Sequence, residues 1–258
     1  MLQTVNLTKN YGKLTAVNQL NLEVEAGELF GFLGPNGAGK TTTIKMMAGI
    51  LTPTQGQVFL DGINVHRNPV QAKSLLAYVP DQPNLYEKLS PREFLSFIAD
   101  IYRMDRTSVE RQSSHWLEIF NLSDRADELM GGFSHGMKQK VSLIAALLHE
   151  PRVLFLDEPT VGLDPRSARM IKDLLRTLCE KGVTVFMSTH ILEIAERMCD
   201  RVGIIQNGQL LALGSIEELR TRTNHGQSTD NSSPTLEDLF LELTGGDEYT
   251  EISQMLEE

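Results

Sequence analysis

The stretch GPNGAGKTT, Gly34 to Thr42, decides how the rest of this chain is read. It matches the phosphate-binding pattern G-x-x-x-x-G-K-[ST], with Gly34, Gly39, Lys40 and Thr41 in the specified places. Successive backbone N–H groups must turn inward around phosphate oxygens, and Gly34, Gly37 and Gly39 supply residues free of Cβ strain for that bend. Lys40 is placed to reach the β- and γ-phosphates and Thr41 to offer its hydroxyl to Mg²⁺, while the helix opening there aims its positive end at the anion. A chance match in a chain of this length is roughly a 1% event. The flanks agree: ELFGFL, Glu28 to Leu33, reads as a buried strand, and TTTIKMMAGI, ending at Ile50, reads as a helix.

The chain has 258 residues, 41% of them hydrophobic, enough for one large domain or a domain with an inserted lobe. No apolar run approaches the ~20 residues needed to cross a bilayer and the N-terminus lacks a secretory apolar region, so a cytosolic chain is expected. Cys179 and Cys199 have no metal-ligand spacing and are expected as buried structural thiols. The formal net charge is −10, but residues 224–258 hold nine acidic residues and no Lys or Arg, which leaves −1 for residues 1–223. A nearly neutral body argues against a broad nucleic-acid footprint.

Residues 2–33 alternate short apolar runs with turn residues, as antiparallel strands do; Tyr11, in one of those turns, fits ordinary packing and base stacking equally. Gln57 to Leu60 and Leu76 to Val79 read as strands. Ser90, Pro91 and Glu93 form a capping box, and Phe94, Phe97, Ile98, Ile101 and Tyr102 follow at helical spacing. The helical pattern continues to about Pro151, with Trp116, Leu117, Ile119 and Phe120 expected in the core of a separate lobe, about 87–150. Val153 to Leu156 is an apolar run ending in Asp157-Glu158, a buried parallel strand with two carboxylates at its C-terminal edge, where ligands of open α/β sheets bind. Asp164-Pro165 opens a helix, Thr184 to Ser188 is a further strand leading to His190, and Asn207-Gly208 marks a hairpin. Residues 221–235 are expected to be a flexible linker, and 236–258 an acidic helical tail.

Together the phosphate loop, FSHGM (133–137), VLFLDEP (153–159), GLD (162–164) and STH (188–190) resemble the nucleotide-binding subunit of ATP-binding cassette (ABC) transporters over residues 2 to about 220, with an echo at 235–244. The resemblance implies an α/β, P-loop NTPase (RecA-like) core with an N-terminal antiparallel β subdomain and an inserted α-helical subdomain. It implies MgATP as substrate, held by Tyr11 against the adenine and by Gly34, Pro35, Asn36, Gly37, Ala38, Gly39, Lys40, Thr41 and Thr42 around the phosphates. Asp157 would hold Mg²⁺ through water, Glu158 would act as general base, and His190 would contact the γ-phosphate and position the attacking water. Ser134 and Gly136 would meet the γ-phosphate bound by an opposite cassette, so the chain is expected to work as a homodimer or heterodimer.

The chain departs from the family pattern in two motifs. His135 and Met137 stand where Gly and Gln are usual. The Gln that senses Mg²⁺ and the membrane subunit is displaced, with Asp81 at its place and Gln82 one residue later, so either is a candidate metal contact. The expected function is ATP hydrolysis that powers transport, in the export direction, on the cytoplasmic side of a membrane and through transmembrane permease partners docked near Leu85, Tyr86 and Leu89. The alternative is a soluble ABC-type ATPase acting on ribosome or DNA.

Overall fold

Side-chain alternation along the central strands divides the core in two. The strands and helices run β1 (Leu2–Tyr11), β2 (Leu14–Val24), β3 (Leu29–Leu33), α1 (Lys40–Met47), β4 (Gln55–Leu60), β5 (Ile63–Asn64), α2 (Pro69–Lys73), β6 (Leu76–Val79), α3 (Pro91–Ile101), α4 (Arg106–Ile119), α5 (His135–Leu147), β7 (Val153–Asp157), α6 (Pro165–Glu180), β8 (Thr184–Thr189), α7 (Leu192–Met198), β9 (Arg201–Gln206), β10 (Gln209–Gly214), α8 (Ile216–Thr223) and α9 (Leu236–Thr244). The structure, a computed structural model, describes residues 1–223 and 235–244. An antiparallel sheet β2-β1-β4-β5 lies beside a six-stranded sheet β10-β9-β3-β8-β7-β6, parallel except for β10.

Phe30 and Phe32 of β3, Phe155 of β7 and Phe186 of β8 point to the side shared with α1 and the antiparallel sheet. Leu29, Leu33, Leu154, Leu156, Val185 and Met187 point to the opposite side, against the helices. Phe186 is the hub of the first cluster, with ring centroids 5.3 Å from Phe30, 5.4 Å from Phe32 and 5.9 Å from Phe155. Each such ring contributes about 1.5–3 kcal/mol of burial, so this layer anchors the floor under the phosphate loop.

The parallel register brings the chemistry to one edge. Leu33 pairs with Thr189 and Asp157 with Ser188, so the chain leaves β3, β7 and β8 at the same level. Asn207 (φ 48°) and Gly208 (φ 76°) make the expected turn between β9 and β10. Cys179 and Cys199 are buried, and burial pushes both thiols up, Cys179 to about 11, which makes them inert.

Ser90 and Glu93 close the capping box reciprocally, Glu93 N–H donating to Ser90 Oγ (3.3 Å) and Ser90 N–H to Glu93 Oε2 (2.8 Å). The lobe α3–α5 differs from expectation in which apolar residues it covers. Leu117 and Phe120 are buried, but Phe97, Ile101 and Ile119 are exposed. The reason is geometric: α3 packs on α4 and α5 along one side, and among the described residues its other face is left exposed.

At the C-terminal end, α8 runs through Thr223, so the expected linker does not begin at 221; residues 224–234 and 245–258 lie outside the described residues. Ser215 and Glu218 cap α8 in the manner of Ser90 and Glu93. Among the described residues no helix is long and apolar enough to cross a membrane.

Candidate functional site

An open cleft of ≈ 370 Å³ lies at the C-terminal edge of the parallel strands. Tyr11, Asn36, Gly37, Gly39, Lys40, Thr41, Thr42, Asp81, Asp157 and Glu158 line it, together with Leu14 and Ala16. Gly34, Pro35 and Ala38 complete the loop behind those residues, and Ala38 N–H donates to the Pro35 carbonyl (3.2 Å).

The loop is glycine-dependent for two separate reasons. Gly37 (φ 82°) and Gly39 (φ 110°) are in the left-handed region. A Cβ at Gly34 would fall 2.3 Å from the Ile205 carbonyl oxygen, and one at Gly39 would fall 2.4 Å from that of Ala16. The β9–β10 hairpin thus buttresses the loop from behind, with Gly208 N–H donating to the Ala38 carbonyl (3.0 Å). Gly39 then serves as N-cap of α1, and Thr43 Oγ1 donates back to its carbonyl (2.9 Å).

Lys40 is buried, its ammonium donating to the carbonyls of Gly34 (2.7 Å) and Pro35 (3.2 Å) and lying 3.7 Å from Glu158 Oε1. Burial pulls its pKa down while the carboxylates of Glu158 and Asp157 oppose that shift. Glu158 also meets His190: Oε1 is 3.0 Å from Nδ1, and Oε2 accepts from the His190 backbone N–H (3.3 Å). Glu158 has φ 51°, uncommon for a residue with a side chain, and is fixed there by donating its N–H to the Ser188 carbonyl (3.1 Å) and Oγ (3.3 Å).

Ser188 was not among the expected site residues, yet its hydroxyl donates to Asp157 Oδ1 (2.5 Å). Its only sequence signal is the position two residues before His190. Leu14 and Ala16 were also unforeseen, because the β1–β2 hairpin reaches the cleft only through tertiary packing. Tyr11 is 49% exposed, with Lys9 Nζ 5.3 Å from its ring centroid. Of the two candidates after Pro80, Asp81 lines the cleft and Gln82 does not.

Ser134 and Gly136 are outside this cleft. Ser134 caps α5, its Oγ accepting from Met137 N–H (3.3 Å), and is exposed. Gly136 lies against Leu163, whose Cδ2 would be 3.1 Å from a Cβ at that position. Thr41, Asp157 and Asp81 line the cleft together and present oxygen atoms, the ligand type of a hard divalent cation.

The family described as ABC transporter matches residues 17–161. The chain is 37% identical over 243 residues to the probable multidrug ABC transporter ATP-binding protein YbhF of Escherichia coli, covering 94% of this chain and 41% of that one. It is 37% identical over 248 residues to the Nod factor export ATP-binding protein I of Burkholderia orbicola, covering 96% and 82%. Among solved structures it superposes on the dimeric post-hydrolysis state of the cassette MJ0796 bound to ADP and Pi with a TM-score of 0.77 and 26% identity, covering 83% and 98%. The chain therefore spans less than half the length of the first relative and most of the other two.

Proposed function

This chain belongs to the ABC transporter family, and from that premise we propose that it is the ATP-binding and ATP-hydrolysing subunit of a membrane transporter working in the export direction. The observation that carries the reading is the convergence of Lys40, Asp157, Glu158 and His190 at one sheet edge around an open, glycine-walled cleft.

Tyr11 would stack on the adenine, the loop amides and Lys40 would hold the phosphates, and Thr41, Asp157 and Asp81 would hold Mg²⁺. When bound, Mg²⁺ neutralises charge on the β- and γ-phosphates. Glu158 takes the proton of the attacking water at its carboxylate, and His190, oriented by the same carboxylate, positions that water and contacts the γ-phosphate. Ser188 holds Asp157 in the rotamer that faces the cleft, a supporting contact of the kind that tunes metal sites.

Two cassettes, identical or related, complete each other's sites head to tail. The exposed cap residue Ser134, with the N-terminus of α5 behind it, supports this, because it has no role in its own chain's cleft. The dimeric MJ0796 structure supports it by analogy. A permease subunit docks in the ≈ 230 Å³ groove between sheet and helical lobe, lined by Leu85, Phe94, Ile98, Tyr102 and His149, and the uncovered Tyr86, Phe97 and Ile101 extend that apolar surface. The subunit then sits on the cytoplasmic face of the membrane through its partner. The export direction follows the Nod factor export relative, and the substrate is read by the permease.

Affinity purification of Glu158→Gln with MgATP from detergent-solubilised membranes tests this. A multi-span membrane protein recovered in near-equal amount supports the transporter reading. Recovery only from the soluble fraction, with ribosomal or DNA-bound partners, overturns it.

A further inference from the structure

The loop joining β7 to α6, residues 158–164, holds one costly conformation, Glu158 at φ 51°, and turns at Gly162 (φ 73°), where glycine adopts the left-handed region without strain. Thr160 is 8% exposed, and its hydroxyl is buried with no hydrogen-bond partner among the described residues, a further cost. The bonds inside the loop are long: Val161 N–H to the Glu158 carbonyl is 3.2 Å and Leu163 N–H to that of Thr160 is 3.4 Å. Glu158 at one end is held by Ser188 and His190 and Asp164 at the other by Ser167, so it is the middle of the loop, Thr160 to Leu163, that takes support from its surroundings.

That support comes from the start of α5. A Cβ at Gly162 would lie 3.1 Å from Cδ2 of His135, 3.6 Å from Nε2 and 3.9 Å from Cγ, so the imidazole covers this glycine with its ring edge. Leu163 reciprocally covers Gly136. The two segments interlock, and a glycine at 135, ordinary for the family, would leave Gly162 uncovered.

We propose that His135 is a positioning residue for hydrolysis: its imidazole braces Gly162 and, through the 158–164 loop, fixes the direction of the Glu158 carboxylate. The inference rests on the reading of Glu158 as general base. Because Ser134 is placed to meet the nucleotide on the opposite cassette, the same contact ties the seating of that nucleotide to the base in this chain's own cleft.

The test compares the full chain with His135→Gly, which removes the ring, and His135→Phe, which keeps one over Gly162. Amide hydrogen exchange over residues 160–163 is measured without nucleotide, and MgATP hydrolysis is measured at steady state. In His135→Gly exchange should accelerate about tenfold and kcat fall about tenfold with KM unchanged, while His135→Phe stays close to the parent in both. Unchanged exchange in His135→Gly overturns the brace, whatever the hydrolysis data show. Equal losses in both variants overturn it too, as does a raised KM together with a lowered Tm, which marks general loss of fold. If Glu158→Gln hydrolyses ATP as fast as the parent, the base reading of Glu158 has failed, and the exchange data still decide whether His135 holds the loop.

Discussion

Glu158 Oε1 sits 3.0 Å from His190 Nδ1, across the gap between the ends of neighbouring strands β7 and β8. One carboxylate therefore orients the histidine and remains close enough to the cleft to accept a proton. Glu158→Gln keeps the shape and removes the basicity, so turnover should drop by about 10²–10⁴-fold while ATP binding persists. Steady-state hydrolysis alongside equilibrium binding of ATP measures both, and retention of a tenth of parent turnover would remove Glu158 from the role of base.

Lys40 is the buried cation of the cleft, and its ammonium already lies within 3.2 Å of two loop carbonyls. Lys40→Ala should weaken ATP by about 1.5–3 kcal/mol, about ten- to a hundredfold in Kd. Adenosine, which lacks phosphates, should bind the two proteins equally. A matching loss for adenosine would show that the loop had collapsed instead.

Ser188 supplies a hydroxyl donor to Asp157 Oδ1 at 2.5 Å from a fully buried position. Ser188→Ala should raise the Mg²⁺ concentration for half-maximal hydrolysis by about 10–100-fold. An unmoved Mg²⁺ midpoint at fixed ATP would reduce Ser188 to a packing residue.

How far the sequence could be read depended on whether the signal was local. The phosphate loop was legible because its chemistry occupies contiguous residues and its glycines answer local backbone demands at Gly37 and Gly39. Ser188 was not, because its partnership with Asp157 comes from the pairing of β7 with β8, which no single segment encodes. Helical spacing marked the apolar face of α3 but could not say whether anything lay over Phe97 and Ile101. Helix α8, IEELRTRT, is half charged and buries Leu219, so it offered little periodicity, although the Ser215 and Glu218 box was there to be seen. Ser134 and Gly136 had meaning only through family resemblance, since the contacts they are expected to make involve a second cassette.

His149 gives the stability of the fold a pH dependence. Its ring stacks on Tyr102 with centroids 4.0 Å apart, Nε2 is 3.0 Å from the Leu76 carbonyl oxygen, and Nδ1 is buried without a partner among the described residues. Burial holds its pKa below the ordinary histidine value, against the opposing bond to Leu76. The unfolded chain, with a pKa of about 6.5, then takes up a proton that the folded chain refuses, so this contribution is whole above that pH and is lost as pH falls through the folded value. His149→Phe keeps the stack and cannot titrate, so its Tm should fall less than the parent's on acidification from about pH 7 to 5. His66, also held low by burial, titrates in the same window, so the difference between the two proteins carries the test. Parallel curves would sink it.

Helix α9 is seated on the body. Leu236 and Leu239 are buried, the helix lies on α7 and α8, and Gln206 Nε2 donates to the Thr244 carbonyl (2.8 Å). Its start is capped, Asp238 N–H donating to Thr235 Oγ1 (3.2 Å) and Thr235 N–H to Asp238 Oδ2 (2.8 Å). Truncating a buried leucine costs about 2–5 kcal/mol, which in a domain of this size lowers Tm by at least about 4 °C. Leu239→Ala should show that loss. ATP affinity should stay within about twofold of the parent, because nothing from α7, α8 or α9 lines the nucleotide cleft and distant sites act independently. Thermal unfolding with and without MgATP separates the two effects. An unchanged Tm would mean that the seat contributes nothing to stability, and a lost affinity would make α9 part of the support for α7, which begins two residues after His190.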